Sequence, residues 1–445
     1  MLTTLLGELI SKVVQSGTSY EAKEAAKVGI IDTVATMLAG RRETPVQVLR
    51  RAFSPLTSGH ALEFCGFEMT SAETAALING VAAHVLDFDD VALRGHPSAV
   101  ITPAIFALGS EIGSSGDDLL NAYVTGYQVW GELVDREMDM HPIKGWHTTS
   151  VFGAVGAAAA CAVLLKLDAI HAAHAIGIGA TQSSGLMANF GSMSKSFQTA
   201  RAAQAGIVAA KLAKEGFTAG LDILEHSQGF LKAFSPTGNV DTETLVELPE
   251  GQWLVESKAV SIKKYPTCFY THRSVDAILD LVKQEGIKPK DVMKIEVIMS
   301  HEHATILRNH FPQSGLEAKF SIEFAMACAL VYGKIGLTEL TDDIVQSSDI
   351  TKLMKKVHVV ETINYSDEWV GAAAEDQVFI TLESGLRMES QRVKYAKGHA
   401  NNPLSRADLD EKFLVCSEVG AVPMESSELL KKLWQLENHK INNLW

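Results

Sequence analysis

From Leu2 to about Ala233 the chain repeats apolar residues at three- and four-residue spacing, with Ala and Gly filling one stripe, as in Thr74 to His84, Pro103 to Ile112 and Gly153 to Leu165. That period belongs to α-helices, and small residues on facing helices let their axes approach closely. The pattern therefore predicts a helical bundle. GAVGAAAACAVLLKL and THRSVDAILDLVKQEG each read as one helix, and Asp117 to Trp130 as another, opened by Ser115-Gly116-Asp117 as its cap.

Near Trp253 the pattern changes. KIEVIMSHEHA, KVHVVET and QVFITLESG alternate and carry β-branched residues, as strands do, while Phe320 to Val331 between them is helical. The tail NPLSRADLDEKFLVC restarts a helix after Pro403, with Ser405 as cap and Asp408 early in the helix. The expected fold is mainly α: a large helical domain over residues 1–258, a smaller α/β domain over 259–395, and C-terminal helices over 396–445 returning to the first. A chain of 445 residues is long enough for two such cores.

A formal charge of −14 argues against nucleic acid or an acidic membrane as partner, because neither finds a basic footprint. Cys65, Cys161, Cys268, Cys328 and Cys416 are odd in number and never in a CxxC pair, so a reducing cytoplasm is the simplest setting. No uncharged apolar run reaches the roughly 18 residues needed to span a bilayer. MLTTLLGELISKVVQ lacks a basic n-region and reads as an amphipathic helix, not a signal.

Four polar islands interrupt the helical background: DFDD and GHPS at Asp87 to Ser98, GWHTTS at Gly145 to Ser150, MSKSFQTARAAQAG at Met193 to Gly206, and SIKKYPTC at Ser261 to Cys268. Together they gather carboxylates, two histidines and two lysines from distant segments. Buried acid/base sites for anionic substrates are assembled in this way. The acid run carries no second ligand set at metal spacing, and His301-Glu302-His303, read as strand, puts two histidines on one face with no third ligand; a metal is not expected at either.

In the same order, DFDD with HPS and PAIFALGSE, GWHTTSVFGAVGAAA, GLMANFGSMSKSFQTARAAQAG, EGFTAGLDILEHSQGF, IKKYPTCFYTH and KGHANNPLSRADLDEKF resemble the MmgE/PrpD family over nearly the whole chain. The resemblance implies a helical domain with an α/β lid, a homodimer, no metal or other cofactor, and proton movement beside a carboxylate. Family members include 2-methylcitrate dehydratases, cis-aconitate decarboxylases and iminodisuccinate epimerases. Removing a hydrogen next to a carboxylate forms an aci-carboxylate dianion, so such a site must supply cations. A positioned base contributes about 10²- to 10⁴-fold, and each preorganised oxyanion donor about 10²- to 10³-fold.

His147 matches the family's active-site histidine and is the leading general base, with Thr148 and Thr149 as hydroxyl donors for substrate. His96, between Gly95 and Pro97, matches the HPS histidine; its alternative is a turn-stabilising role. Asp87 orients a neighbouring base or lysine, whereas Asp89 and Asp90 read equally well as a turn cluster. Lys195 stands before a helix predicted over Thr199 to Ala213, and the family motif places Lys263, rather than Lys264, in the site; a solvated surface lysine is the bland alternative for each. Tyr265 is either an acid or a packed aromatic, Cys268 a wall residue, and His272 structural.

Two departures bear on the reaction. Val91 stands where dehydratase and decarboxylase members commonly have Thr, and Gln198 where the family often has His. Arg94 adds a cation that suits a substrate with more carboxylates, since its planar fork binds one bidentately. These features point to a cofactor-independent epimerase of iminodisuccinate or a similar amino-polycarboxylate. The alternatives are a lyase acting on a tricarboxylate, namely 2-methylcitrate dehydratase or cis-aconitate decarboxylase, and a noncatalytic binding protein.

Overall fold

The small-residue stripe sets how closely the central helices approach. The computed structural model describes residues 1–53, 58–138, 145–246, 252–366 and 372–444. A Cβ built on Gly206 would lie 2.4 Å from Ala157 Cβ and 2.5 Å from the Ala157 carbonyl carbon, and one on Gly80 would lie 2.9 Å from Ala200. Three helices, Ala72–His84, Thr148–Leu164 and Ser194–Lys214, thereby pack almost backbone to backbone. Their ends carry His84, His147 and Lys195. Close packing at the stripe thus brings three ionisable side chains together at one end.

Around this trio stand the helices Leu2–Ser16, Tyr20–Gly40, Pro97–Ile112, Gly116–Asp135 and Ala169–Thr181. Ser115 opens Gly116–Asp135 through a capping box with Asp118, and Ser405 opens Arg406–Val419 through one with Asp408. One apolar core gathers residues from Leu2 to Ile262 and again from Leu409 to Leu444. The C-terminal helices Arg406–Val419 and Ser426–Trp434 contribute to it.

A second core runs from Tyr265 to Ile380. Its four-stranded sheet has the order Val357–Glu361, Val292–Met299, Gln377–Leu382, Arg387–Glu389; the first pair is parallel and the others antiparallel. Ile295, Val297 and Met299 alternate to one buried side, and Val292 joins the same core across a register shift, with helices His272–Glu285 and Ile322–Tyr332. The molecule is mainly α with a smaller α/β part.

Two local expectations are corrected. His301 and His303 are not in a strand: the Ser300 side chain accepts from the His303 N–H and starts the helix His301–Ile306. There His301 is exposed beside Glu361, while His303 stacks on Tyr270 with 3.9 Å between ring centroids. The lysine-bearing helix begins at Ser194, not Thr199, so Lys195 lies inside its first turn. No helix among the described residues is long and apolar enough to cross a membrane.

If the helix approach sets the fold, Gly206→Leu should destabilise the protein by about 1–3 kcal/mol through overpacking against the Ala157 backbone. The check is the urea midpoint of unfolding. An unchanged midpoint would mean that the helices can separate at little cost.

Candidate active site

The segment after helix Ala72–His84 is built to turn inward. Asp87 takes a left-handed φ of +50°, and Leu93 and Arg94 follow with +47° and +57° in a tight turn closed by two hydrogen bonds between Ala92 and Gly95. Trp130 Nε1 donates to the Leu93 carbonyl at 3.1 Å. Val91 pairs with Ser261, which lays the DFDD segment beside the chain leading to Lys263. His96 then caps the helix Pro97–Ile112, whose Pro97 has no N–H to satisfy.

Asp87 is the hub. One carboxylate oxygen accepts from Lys195 Nζ; the other lies 3.0 Å from Lys263 Nζ, which also donates to the Asp87 carbonyl at 2.7 Å. Burial would raise this carboxyl, but Lys195 and Lys263 outweigh it and hold it well below the usual range. In return Asp87, with Asp89, keeps Lys263 above the ordinary lysine range despite its burial. Lys263 is 1% exposed and Lys264 is exposed, as extended backbone requires.

A second carboxylate organises the histidines. Asp89 lies 2.9 Å from His84 Nδ1 and 3.0 Å from His96 Nδ1, and these partners hold it well below the carboxylate range against its burial. His96 Nδ1 also reaches the Asp90 carbonyl at 2.8 Å. A carbonyl only accepts, so this nitrogen carries a proton and is a donor. The ligand atoms of His84, Asp89 and His96 lie within 4.8 Å of one another, yet a protonated Nδ1 is no metal ligand, and the donor set fits a hydrogen-bonded carboxylate better than a cation.

The same accounting assigns the remaining tautomers. Gln198 Nε2 donates to the Leu186 carbonyl at 3.2 Å, which turns its Oε1 toward His147 Nδ1 at 3.2 Å. His147 therefore holds its proton on Nδ1 and a lone pair on Nε2. His84 directs its own Nε2 at Lys195 Nζ, 2.9 Å away. Burial lowers all three imidazoles, His84 to about 4 and His147 well below its ordinary value, with Lys195 adding repulsion to both. The ring centroids of His96 and His147 lie 4.5 Å and 6.2 Å from that of His84, so three neutral imidazoles stand beside two ammoniums.

A small cavity opens between the helical body and the α/β part, lined by His84, Asp87, Lys195, Lys319 and Phe320 among others. Lys195 Nζ sits 5.3 Å from the centroids of both Phe190 and Phe320, and the Phe190 ring meets His147 edge-on at 5.1 Å. Aromatic walls there lower the local polarity, which strengthens the interactions of the charges within.

Asp87, His96, His147, Lys195, Gln198 and Lys263 converge in this way. Cys268 lies close by: its N–H donates to the Lys319 carbonyl at 2.9 Å, and burial followed by the Asp87 charge pushes its thiol up to about 11, which leaves it un-ionised. Asp90 faces away. Its carboxyl accepts from Ser98, and burial with the Asp32 charge raises it well above the carboxylate range.

Four expected residues stand elsewhere. Tyr265 donates to Asp276 Oδ1 at 2.6 Å and packs edge-on against His272 in the α/β core, because the chain bends over residues 264–267 and ends the alternation. Arg94 is exposed on its turn, and its carbonyl accepts from Thr148 Oγ1, which spends that hydroxyl. Thr149 is buried against Gly95. His84 and Lys319 are the functional candidates that sequence reasoning missed, and Asp89 is one that it leaves open as a turn acid; His84 ends a helical repeat and Lys319 precedes one, so neither stood in a polar island.

These are the two domains of one family. Residues 6–243 match the MmgE/PrpD N-terminal domain and residues 265–436 the MmgE/PrpD C-terminal domain. The chain belongs to the MmgE/PrpD family. It is 28% identical over 349 residues to a human (Homo sapiens) cis-aconitate decarboxylase, covering 76% of this chain and 71% of that one. The Mus musculus cis-aconitate decarboxylase is 29% identical over 350 residues, covering 76% and 70%. A 2-methylcitrate dehydratase of Escherichia coli K12 matches over 162 residues at 26% identity, or 34% of this chain and 33% of that one.

Buried neutral imidazoles make stability depend on pH. His84 titrates at about 4 when folded and near 6.5 when unfolded, so the unfolded chain binds the extra proton. Its contribution is fully present above about pH 6.5 and is lost as the pH falls toward 4, about 3 kcal/mol by itself. Urea midpoints measured from pH 8 to pH 4 should fall over this window. A flat profile would show that the imidazoles titrate in the folded protein as they do in the unfolded chain.

Proposed function

We propose that this family member is a cofactor-independent acid–base enzyme acting on a small polycarboxylate, and that it is a lyase releasing CO₂ or water. The observation that carries this reading is the Asp87 hub: two buried ammoniums share one carboxylate at a cavity beside neutral imidazoles. A polyanion is met there by positive charge in a dry site, where each contact counts for more than in water. The similarity to cis-aconitate decarboxylases over three-quarters of the chain supports the lyase outcome.

The chemistry follows from the side chains. An imidazole Nε2 takes a proton from carbon beside a carboxylate, and the C–H electron pair moves into that carboxylate, whose added charge an ammonium stabilises. In dehydration the pair then returns to form C=C as a β-hydroxyl leaves, protonated to water. In decarboxylation of an unsaturated tricarboxylate the C–CO₂ bond breaks, its electrons shift the double bond, and a protonated imidazole or lysine delivers a proton to carbon. A bound carboxylate opposes the burial that lowers His147, which makes it a better base once substrate is present.

Epimerisation of an amino-polycarboxylate is the second reading. It is favoured by His96 and His147, whose Nδ1 atoms are both occupied and whose Nε2 atoms are left as bases, and by the apolar Val91, which offers no proton to a leaving group. Against it, Arg94 is exposed on its turn, which removes the argument for four carboxylates.

Purified protein should be followed by proton NMR in D₂O with cis-aconitate, 2-methylcitrate and one stereoisomer of iminodisuccinate. Loss of CO₂ with one deuterium delivered to carbon, or loss of water with the abstracted hydrogen gone and no deuterium in its place, is the expected result; stereoisomer interconversion without loss would establish the epimerase instead. No turnover and no exchange with any of the three would overturn the acid–base reading. His147→Gln should lower kcat by about 10²- to 10⁴-fold with an unchanged circular dichroism spectrum.

A further inference from the structure

Five lysines are buried among the described residues: Lys27, Lys195, Lys263, Lys319 and Lys412. Four have a carboxylate within ion-pair distance. Lys27 has Glu24 and Glu437, Lys195 and Lys263 share Asp87, and Lys412 has Asp32. Lys319, 4% exposed, has none among the described residues; its Nζ donates to the Leu86 carbonyl at 2.8 Å and the Pro266 carbonyl at 3.3 Å. Carbonyls accept two of its three N–H groups and leave its charge unbalanced.

A buried ammonium without a counter-ion is costly, and proteins keep such groups where a partner arrives. Lys319 lines the same cavity as Lys195 and Asp87. It comes from the α/β part, just before helix Ile322–Tyr332, whereas Lys195 comes from the helical body, so the cavity draws its cations from both parts of the fold. We infer that Lys319 is a substrate-binding residue whose counter-ion is a substrate carboxylate, distinct from the one beside the reacting carbon. This rests on the polycarboxylate reading above and narrows it to substrates with at least two separated carboxylates.

The charged groups facing Lys319 are Asp87 and Glu43, which favour its protonation, and Lys263 and Lys195, which oppose it; burial is the largest influence and brings the amine down to about 8. A carboxylate bound there would restore the ammonium. Affinity for a polycarboxylate should therefore weaken as the pH rises above about 8, approaching tenfold per unit as the free protein loses the proton.

The test is isothermal titration of the full chain with tricarballylate, a saturated tricarboxylate with no hydroxyl to lose, and with butyrate as the monocarboxylate control. Lys319→Gln should weaken tricarballylate about 10- to 100-fold and leave butyrate unchanged, while Lys319→Arg should recover part of the loss. Equal tricarballylate affinity in wild type and Lys319→Gln would overturn the inference while leaving the polycarboxylate site standing. Failure of the wild type to bind tricarballylate would overturn the site reading itself. Should Lys319→Gln not fold, the wild-type pH series decides: constant affinity from pH 7 to pH 9.5 would overturn the assignment.

Discussion

Everything at this site depends on how the chain is held across Leu86, Asp87 and Phe88. Asp87 has a left-handed backbone that a non-glycine residue seldom adopts, with one local backbone bond, from its N–H to the His84 carbonyl at 3.1 Å. Three buried lysines from three distant segments hold the rest of the turn: Lys319 donates to the Leu86 carbonyl, Lys263 to that of Asp87, and Lys412 to that of Phe88. Successive carbonyls are thus tied to the α/β part, the connecting segment and the C-terminal helix. Lys412 also donates to the Lys263 carbonyl at 2.9 Å and pairs with Asp32 at 2.6 Å, so it fixes the two chemistry-bearing strands relative to each other without lining the cavity. A site assembled from such distant parts cannot form until both cores have packed.

The same arrangement explains the division of labour among the acids. Asp87 and Asp89 face ammonium and imidazole groups and stay ionised; Asp90, three residues along the same run, faces Ser98 and Asp32 and is driven toward its neutral form. Asp89 in turn fixes the tautomers of His84 and His96, as a carboxylate does for a catalytic imidazole. A polyanionic substrate entering between Lys195 and Lys319 would change the field felt by every one of these groups. The resting site is therefore set up as neutral bases beside two lysines that share one carboxylate and a third, Lys319, with no carboxylate partner among the described residues, a combination that favours deprotonation only when a carboxylate is bound.

Much of this was legible from residue order. The helical period reports the bundle because small side chains must lie on one stripe if helices are to touch, as Gly206 and Ala157 do. The polar islands report the site because charged and hydroxyl side chains inside an Ala-rich background are retained only where partners satisfy them. What was not legible follows from chain bends. Periodicity says which face a side chain takes along a regular element, but His84 sits where its helix ends and Tyr265 where the extended segment turns at 264–267. Arg94 reads as a substrate cation by composition alone; a tight turn with two left-handed residues directs it outward. Lys319 stands between Ala318 and Phe320 at the start of a helical repeat, and its significance is visible only from the carboxylate it lacks.

The central claim is that the Asp87 hub and the facing lysines form one polycarboxylate site. A crystal structure of the protein with tricarballylate tests it most directly. The account predicts carboxylate oxygens within hydrogen-bond distance of Lys195 and Lys319 Nζ, with a methylene or methine carbon facing the Nε2 of His96 or His147. Tricarballylate bound away from this cavity, or held there with no carboxylate oxygen within hydrogen-bond distance of Lys319 Nζ, would contradict it.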